Sequence, residues 1–222
     1  MKGKKEQAGE PSRRKEKGTR SDILEVAARL IVEKGYNACT MRSISQELNI
    51  KAASLYYHFP SKDDIVVEIM NIGTAMLLDE VKGRFSKLPE GTSFKDALYI
   101  SVQTHITCKL NLSTPFMRVY EHLPPIIKKQ SRLTRRHYTK FWINLIESGK
   151  TSGDVRADLN TTVFAIFLLG GLNRVPEWFH PESMDISDVI DTVMLSLWDG
   201  VHADQDNAKN TWAPKEIDAV ST

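Results

Sequence analysis

Only two cysteines, Cys39 and Cys108, occur in 222 residues, and they stand far apart in the chain. That scarcity excludes a disulfide framework, and no pairing is expected in a reducing compartment. No run of about 18 apolar residues is available to span a bilayer, and no apolar stretch follows the basic N-terminus as a secretory leader requires. A cytoplasmic protein with no membrane partner is the expectation. The six histidines form no i, i+4 pair and have no Cys-x-x-Cys-like companion, so no metal is expected. Gly-rich phosphate loops, a nucleophile elbow and paired carboxylates or histidines are all missing, which leaves the catalytic set empty and an enzyme unsupported. Alternating β-rich segments are missing too. The fold expected is all-α, with about nine helices.

Charge is sparse in sum but unevenly placed. The net is +2, yet residues 1 to 20 hold eight Lys/Arg against three Glu, so the remainder is net −3. That first stretch has no large apolar residue after Met1. It cannot pack a core and is expected to be a disordered basic arm that follows phosphates or enters a minor groove. The 41% hydrophobic content and the length suit a compact helical body with a small second unit.

The most informative segment is Thr40 to Asp64. Met41, Ile44, Leu48, Ile50, Leu55 and Phe59 supply apolar groups at intervals of three or four, broken at Asn49. Two short helices meeting at an angle require that spacing, and all six are expected in the core. Thr40 stands as an N-cap for Met41 to Leu48. Asn49 is suited to a left-handed turn. The second helix, Lys51 to Tyr57, presents Lys51, Ala52, Ser54, Tyr57 and His58, small or hydrogen-bonding groups fit for a major groove. Ser61 with Asp64 resembles a capping box, and Lys62 in the next first turn is a candidate phosphate grip. The bland alternative is a buried helical hairpin whose Tyr56, Tyr57, His58 and Phe59 form an aromatic core corner. For Tyr57 and Lys62 that is disfavoured, since adjacent positions on a helix cannot all point inward.

The string LYYHFPSKDDI, Leu55 to Ile65, preceded by an apolar helix (Ile23 to Gly35) and a Thr-x-x-x-Ile-Ser helix, resembles the signature of the tetracycline-repressor (TetR) family over residues 20 to 68. Asn49 replaces a frequent Gly, and Lys51 a frequent Ser or Thr. Residue by residue, the resemblance implies double-stranded DNA contacts from Thr40, Arg42, Ser54, Tyr56, Tyr57, His58 and Lys62. Lys51 and Ala52 join them from the exposed-face reading. The domains expected are an arm (1–20), a helix-turn-helix DNA-binding domain (21–67), a ligand-binding and dimerisation domain (68–202) and a C-terminal tail (203–222).

In the body, a long helix from Ser61 to about Ser86 is expected to carry Ile65, Ile69, Ile72, Met76 and Val81 along one stripe. Leu88-Pro89-Glu90-Gly91 breaks it, and a helix from Ser93 to Asn111 follows. Phe116 to His122 reads as a short piece, Ile126 to Lys150 as one long helix. A helix starting at Asp158 or Asn160 and another at Asp185 or Ser187 close the chain. These last two are apolar on nearly every side, so they need one partner inside the subunit and one outside. A homodimer is therefore expected, with Gly170-Gly171 allowing close approach.

Aromatic and polar groups between Phe116 and Trp178 read as a ligand pocket: Phe116, Tyr120, Arg135, Tyr138, Phe141, Trp142, Asn173, Arg174 and Trp178. Between Glu121 and Glu147 there are six cations and no acid, a face suited to the phosphates of an amphiphile such as acyl-CoA. Tyr-x-x-Phe-Trp, Gly149 to Asp158, and Gly170-Gly-Leu-Asn173 with Trp178-Phe179 resemble the acyl-CoA-responsive branch of fatty-acid and steroid-catabolism regulators. The resemblance implies a repressor released from a palindromic operator by a hydrophobic or acyl-CoA effector and no bound cofactor. A sequence-neutral DNA-packaging protein, favoured by the basic arm, is the alternative.

Overall fold

The computed structural model describes residues 19–111, 115–130 and 132–202. The arm expected over 1–20, apart from its last two residues, and the tail expected over 203–222 lie outside them. Among the described residues there are nine α-helices of six or more residues, two single-turn α-helices and one 3-10 turn. No β-strand is formed among them beyond one isolated bridge, Val155 with His202. No described helix is long and apolar enough to cross a membrane.

The helical head comprises α1 (Arg20–Lys34), α2 (Met41–Leu48) and α3 (Ala52–His58), and α4 (Lys62–Phe85) leads out of it. Arg20, expected in the arm, is instead the first residue of α1. A Thr19–Asp22 capping box starts that helix, with Asp22 accepting from the Thr19 amide at 3.1 Å. Ile44, Leu48, Leu55 and Phe59 are buried as expected, whereas Met41 and Ile50, at the ends of the hairpin, are only half-buried.

Along α4 the buried stripe is Ile65, Ile69, Gly73, Leu77 and Val81. Met76, expected in that stripe, is 38% exposed. One residue before Leu77, it is turned about 100° away by the 3.6-residue period.

The body continues through α5 (Phe94–Leu110), α6 (Pro115–Arg118) with the 3-10 turn Val119–His122, α7 (Pro125–Gln130), α8 (Arg132–Ser152), α9 (Thr161–Leu172), α10 (Val175–Trp178) and α11 (Ile186–Val201). The helix expected over Ile126 to Lys150 is described as α7 and α8 on either side of Ser131, and α8 runs on to a positive-φ Gly153. The single turn α10 had no counterpart in the sequence reading. Gly149 to Asp158 forms the stop of α8. The Val155 amide donates to Gly149 O at 2.9 Å, the Arg156 amide to Val201 O at 2.9 Å, and the Arg156 fork grips Asp158.

Two hydrophobic clusters result. The body cluster joins α4 beyond Leu77 to α5, α8, α9 and α11. The head cluster does not stop at residue 67: it takes in Met70 of α4 and Val119, Leu123 and Ile127. The segment from α6 to α7 is thus packed into the base of the head.

Candidate nucleic-acid interface and internal cavity

The head's outer surface follows from how its two short helices are anchored. Thr40 Oγ1 accepts from the Ser43 amide at 3.0 Å, while the Thr40 amide donates to Ser43 Oγ at 2.9 Å. Asn49 takes φ 55°, ψ 47°, the one positive-φ residue other than glycine among those described. That turn delivers α3 with Leu55 fully buried and Phe59 sealed beneath its end. The opposite face carries Lys51, Ala52, Ser54, Tyr56 and Tyr57, all exposed, with Thr40 and Arg42 exposed beside them. Lys51 sits at the N-cap position but makes no capping hydrogen bond. Tyr57 is 87% exposed. His58 is half-buried and meets the Tyr57 ring edge-on at 5.3 Å.

Lys62 is placed differently from the other expected contacts. Its Nζ donates to Tyr36 O at 3.0 Å and lies 3.7 Å from the Tyr36 ring centroid, while the Tyr36 hydroxyl donates to Asp63 at 2.5 Å. Burial, reinforced by Asp63, pushes the Tyr36 phenol up to about 12. Lys62 is therefore already tied to the α1–α2 connection, and a phosphate would share its remaining donors. Nearby Cys39 is buried, and that burial raises its thiol to about 11. Protonated and enclosed, it lacks the character of a redox sensor.

Arg20 was not among the expected site residues. Its Nε donates to Glu68 at 2.9 Å, its Nη1 to His58 O at 2.8 Å, and its guanidinium lies 4.1 Å from the Phe59 ring centroid. One side chain thus ties α1 and α4 to the last turn of α3. The Thr19-x-x-Asp22 pattern, which sets Arg20 inside a helix, was the signal that could have revealed it.

The body holds a cavity of about 290 Å³ that is partly open to solvent. Met70, Gly73, Thr74 and Leu77 of α4 form one wall, and Ile166, Leu169 and Gly170 of α9 another. Of the nine expected ligand residues, Phe116, Tyr120, Arg135, Tyr138 and Asn173 line it. Trp142 does not: it is fully buried, edge-on to Tyr138 with centroids 6.3 Å apart. Phe141 lines a separate groove, and Arg174 and Trp178 lie in a depression on the other side of α9. Asn173 caps the end of α9 and Arg174 the start of α10, so the chain turns between them, while Phe141 lies one turn further along α8 than Tyr138, past the end of the cavity.

The cavity's polar end was largely missed. Lys109 lines it while only 3% exposed, and His105 behind it is wholly buried. His105 Nδ1 is 2.7 Å from the Tyr138 hydroxyl, and its Nε2 has no hydrogen-bond partner. Burial first, then the charge of Lys109, holds the imidazole down to about 3, so it is neutral. On the other flank Arg135 Nη1 donates to Tyr120 OH at 3.4 Å and Lys128 Nζ lies 4.6 Å from that ring's centroid. Lys109 continues the α5 stripe of Val102 and Ile106, a spacing that could have marked it as inward-facing.

A third feature is the outer side of α9 and α11. Val163, Ile166, Phe167 and Leu195 are each at least 60% exposed. A Cβ added at Gly170 or Gly171 would meet nothing within 4 Å. The inner side of the same helices, Ala165, Leu168, Leu172, Ile190 and Met194, is buried in the body.

Comparison with known proteins gives two family matches. Residues 23–69 match the profile described as "Bacterial regulatory proteins, tetR family", and residues 94–201 match "Tetracyclin repressor-like, C-terminal domain". The HTH-type transcriptional repressor KstR2 of Rhodococcus jostii is 25% identical over 186 residues, spanning 81% of this chain and 89% of that protein. A structure of AibR in complex with isovaleryl coenzyme A and operator DNA superposes with TM-score 0.64 at 21% identity, covering 81% of this chain and 95% of the other. The ketosteroid transcriptional regulator KstR2 of Mycobacterium tuberculosis gives TM-score 0.62 at 18% identity, covering 83% and 95%.

Proposed function

The chain belongs to the tetR family of bacterial regulatory proteins, and from that membership we propose that it is a homodimeric transcriptional repressor whose hold on a palindromic operator is released by an acyl-CoA. The observation that carries the DNA-binding reading is Tyr57, 87% exposed on a helix whose other face is locked by Leu55 and Phe59. A rigid helix with an outward tyrosine, small Ala52 and Ser54 and flanking Lys51 and Arg42 suits insertion into a groove between phosphate-bearing strands. Binding and release, not catalysis, is the activity proposed. The apolar outer side of α9 and α11 is the surface through which two copies would pair, giving two reading heads for two half-sites.

For the effector, the support is the cavity itself, mostly apolar with a polar end, and the likeness to AibR, whose complex holds isovaleryl coenzyme A together with operator DNA. The route from cavity to head is short. Met70 lines the cavity and is also buried in the head cluster, and Phe116 and Tyr120 both line the cavity and pack against that cluster. An occupant that displaces these three side chains moves the base of the head, and α4 and the α6 segment carry the shift together. A coupling of about 1–3 kcal/mol lowers operator affinity roughly 5- to 150-fold.

The test begins with duplexes selected by the protein from a random pool. Two footprinted half-sites separated by about one helical turn, 34–36 Å, or a multiple of it, and a preference over random DNA of about a thousandfold are expected. Binding without sequence preference would support the packaging alternative instead. Acyl-CoAs from isovaleryl to palmitoyl, added to the complex, should release it. A panel that neither binds nor releases leaves the regulator without this effector class.

A further inference from the structure

The groove that holds Phe141 lies between α4 and α8, beside the cavity and distinct from it, with a volume of about 560 Å³. Leu78 and Phe85 from α4, with Phe141 and Leu145 from α8, make its apolar floor, and Phe85 and Phe141 meet edge to face at 6.1 Å. Its ionisable lining residues are Lys82, His137 and Lys140; no acid lines it. Both lysines are exposed, and among the described residues neither is ion-paired, whereas neighbouring Arg84 is held by Glu80 at 2.9 Å. Cationic charge here is therefore available to an incoming ligand.

The groove and the cavity adjoin on both helices. On α4, Leu77 faces the cavity and Leu78 the groove; on α8, Tyr138 and Thr139 face the cavity and His137 and Lys140 the groove. Thr74, Leu78 and Lys82 follow one another at four-residue spacing, so the cavity wall at Thr74 and the cation at Lys82 are about 12 Å apart along the helix. An occupant of the cavity that continues outward along this stripe meets apolar surface first and two lysines after it.

We propose that this groove binds the phosphate-bearing end of the effector, with Lys82 and Lys140 on its phosphates and the acyl group in the adjoining cavity. The inference rests on the acyl-CoA reading above and divides that ligand between two subsites. It separates the α8 cations by role: Arg135 is tied to Tyr120 at the cavity, while Lys140 faces the groove. Because the groove uses α4, which leaves the head, a ligand seated in it bears on the helix that carries the head.

The experiment compares wild type with a Lys82→Gln/Lys140→Gln double variant by calorimetry. The probes are the tightest-binding member of the acyl-CoA panel and the same acyl group on pantetheine, which lacks the nucleotide and every phosphate. The variant should lose about tenfold or more in affinity for the acyl-CoA, the worth of one charge-assisted hydrogen bond, and nothing for the acyl-pantetheine. Its melting temperature and effector-free operator affinity should match wild type, since both positions are exposed and remote from the head. Equal acyl-CoA affinity in the two proteins overturns the subsite while leaving the effector reading intact. A wild type that binds no acyl-CoA overturns both.

Discussion

Arg20 and Glu68 are joined side by side, Nε to Oε1 at 2.9 Å and Nη2 to Oε2, while the same guanidinium donates to the His58 carbonyl at 2.8 Å. The pair links the first residue of α1 to α4 and fixes the last turn of α3 between them. Surface ion pairs are usually worth little. This one matters for geometry, because the carbonyl it holds belongs to the residue after Tyr57.

The sign of one substitution tests that role. Glu68→Gln removes an acid beside the proposed DNA-binding face and frees a guanidinium, so if Arg20 acted only by attracting phosphate, operator binding would tighten. If Arg20 positions α3, binding weakens despite the gain in positive charge. Weakening of about threefold or more in gel shifts or fluorescence anisotropy, with an unchanged dependence on salt, is expected. Tighter binding would assign Arg20 to the backbone of the duplex instead.

Gly149 shows how closely the body is packed. A Cβ built there would stand 2.6 Å from Phe94 Cε2 and 2.7 Å from Val155 Cγ2. Phe94 is itself held against Trp198, with ring centroids 6.4 Å apart. Gly149→Ala gains about 1 kcal/mol in helix propensity but overpacks by about 1–3 kcal/mol. A net loss of up to about 2 kcal/mol is expected, read as a fall in melting temperature of a few degrees. A rise would mean that Phe94 moves aside freely.

The parts of the fold that were legible in the sequence are those governed by local chemistry. Thr40, Ser61, Ser93, Asn160 and Asp185 each cap the helix expected to follow them, because a short oxygen-bearing side chain before an apolar period satisfies the first free amides. Asn49 turns as its ease with left-handed angles implies. What could not be read is where a buried helix faces emptiness and where it faces core. Tyr138 and Trp142 are four residues apart on α8, equally aromatic, and only the first reaches the cavity. Lys109 is the opposite case: its place on the stripe of Val102 and Ile106 points inward, but its charge suggests solvent, and its burial is completed by helices that arrive much later in the chain.

The buried His105 predicts a pH dependence. Its folded-state pKa, about 3, is depressed below the 6.5 of an ordinary imidazole by burial and then by Lys109. Between those values the unfolded chain binds a proton that the folded one does not, so stability falls as pH drops through this window and is fully present above it. From pH 7.5 to pH 5 this amounts to about 2 kcal/mol. Urea unfolding of wild type should show that loss over and above whatever His105→Gln shows across the same range, since the amide keeps a partner for Tyr138 and does not titrate. Identical pH profiles would place the acid sensitivity elsewhere.

The outer side of α9 and α11 yields the last prediction. Phe167 is 73% exposed in the single chain, with Val163 and Ile166 on the same helix at 61% and 60%. A contiguous apolar patch of this kind is costly to leave in water and marks an interaction surface. Gly170 and Gly171, open to their surroundings, let a second backbone come near. Phe167→Glu should leave the helical fold intact, because the residue touches solvent and not the body's core, while two buried carboxylates across a symmetric interface repel and remain unsolvated. Sedimentation at micromolar concentration should then change from dimer to monomer. Operator affinity should collapse with it, since a lone head keeps only one half-site's contacts. A variant that stays dimeric would move the interface to another surface, and a monomer with full affinity would remove the two-fold reading of the operator altogether.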